Sequence, residues 1–209
     1  MKKKLLLSSL LLVSTLYSSN IDSNMERSDG SWYVGLNLGL TNFGGSLEIS
    51  DDYKTSKFNG DVDSKPFMLK VGYLQNDDNR LEFYYKKDNI DIEGHEFFST
   101  STIGISSEWG FSSLSKNRFL PYFTLGFGVG SSSSNFVVYD DGVVLELDIG
   151  LGIHYQVHKN IDATVGLFRR SMINVVSDVN TGSYYYDDSE DYSSLASVNG
   201  IEIGVSYHF

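Results

Sequence analysis

The last nine residues of the chain, Ile201 to Phe209, alternate strictly between apolar and polar side chains. A two-residue period predicts a β-strand with one apolar face and one polar face. The apolar face must be covered, either by a protein core or by lipid. Which of the two covers it depends on whether the rest of the chain continues the same pattern.

The alternation recurs along the whole chain, and it predicts eight antiparallel strands. The first seven cover residues 32–40, 67–73, 81–86, about 97–109, 119–129, 143–155 and 161–170, and the closing strand ends at Phe209. Short turns are expected at 75–79, 112–118 and 156–160, and longer loops at 41–64, 88–96, 131–141 and 171–195. An even number of strands places both termini on the side of the short turns.

The amino terminus predicts export of the protein. Lys2, Lys3 and Lys4 precede a mostly apolar run from Leu5 to Leu16. This is the pattern of a cleaved signal peptide, and the run is shorter than the roughly 20 residues of a membrane-spanning helix. We therefore expect a signal peptide at 1–19, a short periplasmic segment at 20–30 and a single β-domain at 31–209.

Composition excludes several classes of protein. The chain has no Cys, so neither disulfides nor lipoprotein processing is expected. Its net charge of -11 becomes -14 once the three leader lysines are removed. Such a chain is repelled by nucleic acid, and none is expected as a partner.

Two regularities favour a transmembrane barrel. Short turns alternate with longer loops, as they do when turns face the periplasm and loops face outside. Aromatic residues also recur at the strand ends nearest the short turns, where a girdle at the membrane interface is expected. The predicted periplasmic girdle consists of Trp32, Tyr73, Phe83, Trp109, Phe119 and Tyr155, together with the terminal Tyr207 and Phe209.

The polar faces of the strands predict a narrow, charged interior. Many glycines share this register, as expected where bulky side chains do not fit. Opposite charges share it too and are expected to pair with one another. The predicted lumen charges are Lys70, Glu82, Lys86, Glu108, Glu146, Asp148, Asp162, Arg170 and Glu202.

Together these features resemble the small OmpA/OmpX-like eight-stranded outer-membrane β-barrel proteins. The resemblance implies an all-β, antiparallel, up-and-down transmembrane barrel in the bacterial outer membrane, monomeric and without cofactors. Its expected partners are outer-membrane lipid and lipopolysaccharide, the barrel-assembly machinery during insertion, and a surface ligand bound through the loops. It further implies that the terminal alternation, at Ile201, Ile203, Val205, Tyr207 and Phe209, is the assembly signal.

Function is predicted to be non-enzymatic, with a structural or adhesion-type role in the envelope. No His-x-Ser pair like that of lipid A deacylase barrels occurs, and Glu146 and Asp148 have no nearby outer-rim His in the sequence. A calcium-loop pattern beginning at Asp187 fails because Tyr192 occupies the glycine position. Two alternatives stay open: a small pore or conduit for hydrophobic solutes, and a lipid A-modifying enzyme.

Overall fold

The computed structural model describes residues 30–50, 55–60, 62–76, 78–92, 95–111, 118–134, 142–179 and 190–209. The predicted signal peptide and residues 20–29 of the segment after it lie outside this part of the chain. So does Asp187, at which the calcium-loop pattern begins.

Ten β-strands form the described part of the chain. They are β1 Trp32–Ser50, β2 Thr55–Gly60, β3 Val62–Ser64, β4 Phe67–Leu74, β5 Asn79–Ile92, β6 His95–Gly110, β7 Phe119–Ser134, β8 Gly142–His158, β9 Ile161–Val179 and β10 Glu190–His208. Among these residues no helix is long and apolar enough to cross a membrane.

The strands close into one antiparallel barrel. From β4 to β10 each strand pairs with the next one in the chain, and β1 pairs with both β4 and β10 to complete the ring. β2, β3 and β4 are successive pieces of the second wall strand, so the wall has eight strands. Pro66, which has no N–H to donate, lies in the break before β4, and its carbonyl accepts a bond from the Gly39 amide at 2.8 Å. The predicted eight-stranded barrel is confirmed.

The pairing register defines the stagger of the wall. The row of paired residues that starts at Asn199 passes through Arg169, Ile149, Leu125, Ser107, Leu81, Tyr73 and Trp32, and it reaches β10 again beside Phe209. After one circuit of the barrel the row has shifted along β10 from Asn199 to Phe209, which is ten residues. A shift of this size corresponds to strands tilted by roughly 40°. Residues opposite one another in the register therefore lie at different heights.

The predicted loops were wrong over most of their length. Within 41–64, 88–96, 131–141 and 171–195 the chain forms the upper parts of β1, β5, β6, β7, β9 and β10, as well as β2 and β3. These segments are rich in Ser, Asn and Asp, which have low β-propensity, but pairing with adjacent strands overrides that preference. The wall therefore continues well beyond the 9–11 residues per strand that a bilayer requires.

Candidate functional site

The lumen carries the charged side chains of the barrel. All nine predicted lumen charges point inward, and most are almost fully buried. They form two groups of ion pairs, a lower group near the short turns and an upper group towards the opposite end.

Arg80 is the centre of the lower group. Its guanidinium lies 3.0 Å from Asp162 and 3.3 Å from Glu108. Each of these carboxylates also contacts a histidine: His154 Nε2 lies 2.6 Å from Glu108, and His208 Nε2 lies 3.1 Å from Asp162. Arg80 was missed because the sequence placed a turn at 75–79 and started the strand at Leu81. Had the strand been started one residue earlier, the alternation would have predicted an inward side chain for Arg80.

Glu82 joins this group to its neighbours in the lumen. The Lys70 ammonium lies 2.7 Å from it, the Tyr33 hydroxyl donates to it at 2.6 Å, and the Ser106 hydroxyl donates to it at 3.0 Å. The Arg80 guanidinium also lies over the Tyr33 ring, 5.4 Å from its centroid. The carboxylate is thus paired and hydrogen-bonded, as a buried charge must be to be tolerated.

Arg170 is the centre of the upper group. Its Nε donates to Asp148 and its Nη1 to Asp88, each at 2.7 Å. Lys86 bridges Glu146 and Asp148. Asp88 was missed because the sequence placed a loop at 88–96, whereas β5 continues to Ile92. Sequence alternation alone also could not show which charges would meet across the lumen.

Three tyrosines fill the space over three glycines of the adjacent strand. A Cβ added to Gly152 would lie 2.5 Å from the Tyr122 ring, and Gly72 and Gly104 are covered in the same way. In each case the tyrosine and the glycine are direct partners in the register: Tyr33 with Gly72, Tyr84 with Gly104, and Tyr122 with Gly152. The glycines therefore create the room that these inward rings occupy.

Little space is left between the two groups. A cavity of about 40 Å³, lined by Asn37, Lys70, Asp148, Glu202 and others, lies between them. It has room for roughly three waters. The Asn37 amide donates to Glu202 at 3.2 Å.

An apolar cluster fills the lumen above the ion pairs. It was not predicted, because its members lie in segments assigned to loops or at the ends of predicted strands. The cluster consists of Leu47, Val62, Ile90, Phe98, Val144, Met172, Ala196 and Val198, with Ile49 packed against it. The upper end of the lumen is therefore closed by packed side chains.

Most girdle residues lie outward near the short turns. Trp32 contacts Tyr73 with ring centroids 5.2 Å apart, Phe119 contacts Tyr155 at 4.9 Å, and Trp109 is on the same side of the wall. Phe83 lies one outward residue further from the turns, since it pairs with Val71 whereas Leu81 pairs with Tyr73. The interfacial role of these rings stays a prediction.

The terminal segment forms one side of the closing seam. Ile201, Ile203, Val205 and Tyr207 point outward from β10, and the Phe209 amide donates to the Trp32 carbonyl at 3.0 Å. Their role as an assembly signal stays a prediction. Among the residues described, no group of three or more His, Cys, Asp or Glu side chains is arranged to hold a metal ion.

Comparisons with known proteins agree with this architecture. OprG of Pseudomonas aeruginosa, an outer-membrane protein, superposes with a TM-score of 0.53 and 11% identity, over 86% of this chain and 98% of that one. Neisserial surface protein A superposes with a TM-score of 0.47 and 19% identity, over 87% and 100% of the two chains. No curated protein sequence matches the chain. The profile described as "outer membrane protein beta-barrel domain" matches residues 8–209, and the chain therefore belongs to that family and is an integral protein of the bacterial outer membrane.

Proposed function

We propose that this protein is a non-enzymatic barrel that anchors a surface sheet in the outer membrane, with a structural or adhesion-type role. The observation that carries the proposal is the filling of the lumen. Two groups of buried ion pairs occupy its lower part, and an apolar cluster closes its upper part. The barrel is built as a solid support.

The filled lumen argues against a pore. Eight strands enclose an interior that side chains can fill, and here they do so with a cavity of about 40 Å³ between the layers. An ion or solute would have to break Arg80 or Arg170 away from their carboxylates and then pass the apolar cluster. Breaking these ion pairs leaves buried charges without partners, which is strongly unfavourable.

The buried histidines support a structural role over catalysis. His154 and its partner Glu108 have side chains that are 0% and 3% exposed. Glu108 also holds Arg80, so its negative charge is used in an ion pair. His154 and the second buried histidine, His208, lie at the short-turn end of the lumen. They are therefore away from the outer-leaflet lipids on which a lipid A-modifying enzyme acts.

The surface part of the proposal is based on the strands that extend beyond the membrane. β9, β10, β1 and β2 are consecutive neighbours, and their upper parts form one antiparallel sheet. The connections at 51–54 and 180–189 join strands of this sheet, and they contain Tyr53 and the run Tyr184, Tyr185 and Tyr186. Tyrosine provides a large contact area at low entropic cost, which suits a recognition surface.

Two measurements test the scaffold function, one on the refolded protein and one in cells. In planar bilayers we expect no steady channel openings, and in cells that express the protein we expect the mass spectrum of lipid A to be unchanged. Large and regular openings would establish a pore instead, and a new lipid A species would establish an enzyme.

A third measurement separates adhesion from a purely structural role. Residues 180–189 are replaced by a Gly-Ser linker of equal length, and barrel assembly is checked by the difference in gel mobility between boiled and unboiled samples. An adhesion role predicts that attachment to host-cell monolayers falls while assembly is unchanged. Unchanged attachment would leave the structural role.

A further inference from the structure

An exposed apolar patch lies high on the outward face of β8, β9 and β10. Each of its five members is about half exposed, from Leu195 at 45% to Val143 at 57%. Val143 pairs with Val175 in the register, and Ile173 pairs with both Leu145 and Leu195, so the five side chains are neighbours. We call these residues the upper patch. Exposed aliphatic side chains that cluster in this way indicate a contact site, whereas single ones do not.

The upper patch is bounded on both sides by polar residues. On β7, Ser131 pairs with Val143 and is exposed, and on β1, Glu48 pairs with Leu195. The outward positions in the upper parts of β5 and β6 are polar as well, namely Asn89, Asp91, Ser99 and Ser101. The patch is therefore a feature of one side of the wall and not the upper end of an apolar ring.

Four polar residues separate the upper patch from the apolar wall below it on β9 and β10. They are two pairs of register partners, which we call the polar block: Arg169 with Asn199, and Ser171 with Ser197. All four point outward. Directly below the block, Leu167 pairs with Ile201, and both are again outward and apolar. From the short turns upward, the outward face of these two strands therefore changes from apolar to polar and back to apolar.

A boundary between lipid and water does not match this order. Hydrocarbon that reached Ile173 and Leu195 would also cover Ser171 and Asn199, whose short polar side chains cannot extend out of it. Hydrocarbon that ended below the polar block would leave the whole upper patch in water, which disfavours exposed aliphatic groups. The order fits a partner surface that repeats it, with a polar level below an apolar one.

We propose that the upper patch and the polar block bind a second copy of this chain in the outer membrane. Both copies are inserted in the same direction, so the two-fold axis that relates them is parallel to the membrane normal. Such an axis keeps each residue at its own level. The upper patch of one copy therefore meets the upper patch of the other, and the two polar blocks meet below them.

An axis between β9 and β10 also matches individual side chains. Each β9 then faces β10 of the other copy, so the contacts occur in reciprocal pairs. Ile173 faces Leu195, which buries aliphatic surface on both sides, and Arg169 faces Asn199, whose side-chain oxygen can accept from the guanidinium. The Asn199 Nδ2 already donates to the Gly44 carbonyl at 3.3 Å, which leaves that oxygen for the other copy. The resemblance to small barrels implies a monomer, and this contact departs from that expectation.

The chain has no Cys, so single-Cys variants report on the contact. The refolded full mature chain with Ile173→Cys is treated with a water-soluble maleimide, first in vesicles that hold a single barrel and then at high protein density. Labelling should slow about tenfold at high density, because the second copy covers the site. Asn89→Cys, an outward position on β5, four strands away around the wall, is the matched control and should label equally fast under both conditions.

Substitutions in the upper patch test its contribution to the affinity between copies. That affinity is measured by energy transfer between chains labelled at Lys159→Cys, which lies at a short turn away from the patch. Ile173→Ser and Leu195→Ser should each weaken association roughly tenfold, because each change occurs twice in a symmetric dimer. Ile173→Val and Leu195→Val, which keep an aliphatic side chain, should stay within about threefold of the parent.

Three outcomes would overturn the assignment. The first is equal labelling of Ile173→Cys at both densities, which would show that no second copy covers the patch. The second is labelling of Ile173→Cys by an apolar probe from the membrane with no maleimide reaction at either density, which would show that hydrocarbon covers it. The third is an affinity that the Ser substitutions leave unchanged. Gel mobility of unboiled samples confirms that each variant is folded.

Discussion

The lumen within the membrane and the lumen above it are built from the same strands but have opposite chemistry. Within the membrane the outward residues are mostly apolar, and the inward residues include the paired charges. Above the ion pairs the lumen holds the apolar cluster, and the outward face carries polar residues together with exposed apolar residues such as Ile173 and Val175. The difference shows that the surroundings of the wall decide which face carries the apolar residues. Lipid excludes polar groups from the outside, and water favours them there.

The change occurs within a few residues on a single strand. On β5, Tyr85 is apolar and outward, whereas Ile90 is apolar and inward. On β9 apolar residues lie on both faces beyond Arg169, since Met172 is inward and Ile173 and Val175 are outward and exposed. The two regions should also respond differently to substitution, since one depends on paired charges and the other on close packing.

The largest effect is expected from Arg170→Gln in the charged region. Removing the guanidinium leaves Asp88 and Asp148 buried without this partner, which should lower the free energy of unfolding by about 3–5 kcal/mol. Urea titration in lipid vesicles, followed by Trp fluorescence, measures it. The neighbouring Arg169→Gln is outward and should change stability by less than about 0.5 kcal/mol. Equal losses in the two variants would contradict the assignment of faces.

The next effect concerns the apolar region. Met172 is 1% exposed and Ile173 is 47% exposed. Met172→Ala should cost about 3 kcal/mol through lost packing and the cavity left behind. Ile173→Ala should cost less than about 1 kcal/mol in the same urea titration, because the side chain is half exposed. A larger loss at Ile173 than at Met172 would mean that the two faces of β9 are assigned wrongly.

A smaller effect is expected where a tyrosine covers a glycine. Gly72→Ala places a methyl group against the Tyr33 ring, and overpacking of this kind costs about 1–3 kcal/mol. In a Tyr33→Ala background the same substitution should cost almost nothing, so a double-mutant cycle isolates the contact. Additive losses would show that the ring does not occupy this space.

The smallest effect is expected where the two regions meet. The Ser64 hydroxyl on β3 donates to Asp88 at 2.6 Å, and Ser64 is buried. Ser64→Ala should cost about 1 kcal/mol, the usual value for one hydrogen bond. Ser133→Ala, on an exposed outward position, is the control and should be neutral within about 0.5 kcal/mol. A neutral Ser64→Ala would mean that Asp88 gains nothing from the hydroxyl.

The sequence predicted the region within the membrane better than the region above it. Alternation identified the strands, their faces and nine of the inward charges, because lipid strongly disfavours polar outward residues. In the upper parts of the strands, Ser, Asn and Asp are interspersed with single apolar residues such as Ile90 and Phe98, and this pattern resembles loops. The change from outward Tyr85 to inward Ile90 was present in the sequence as a signal. The ion-pair partners were not, since Arg80 and Asp162 are joined only by the closed fold.

Two ion pairs cross the full width of the barrel in opposite senses. Arg80 of β5 reaches Asp162 of β9, and Arg170 of β9 reaches Asp88 of β5. Because these strands face each other across the ring, neither pair can form in a flat or partly curled sheet. An open sheet in the bilayer would expose these charges to hydrocarbon, at a cost that excludes it as a stable intermediate. We therefore expect ring closure to precede or accompany full insertion into the membrane, after which the crossed pairs join opposite sides of the wall.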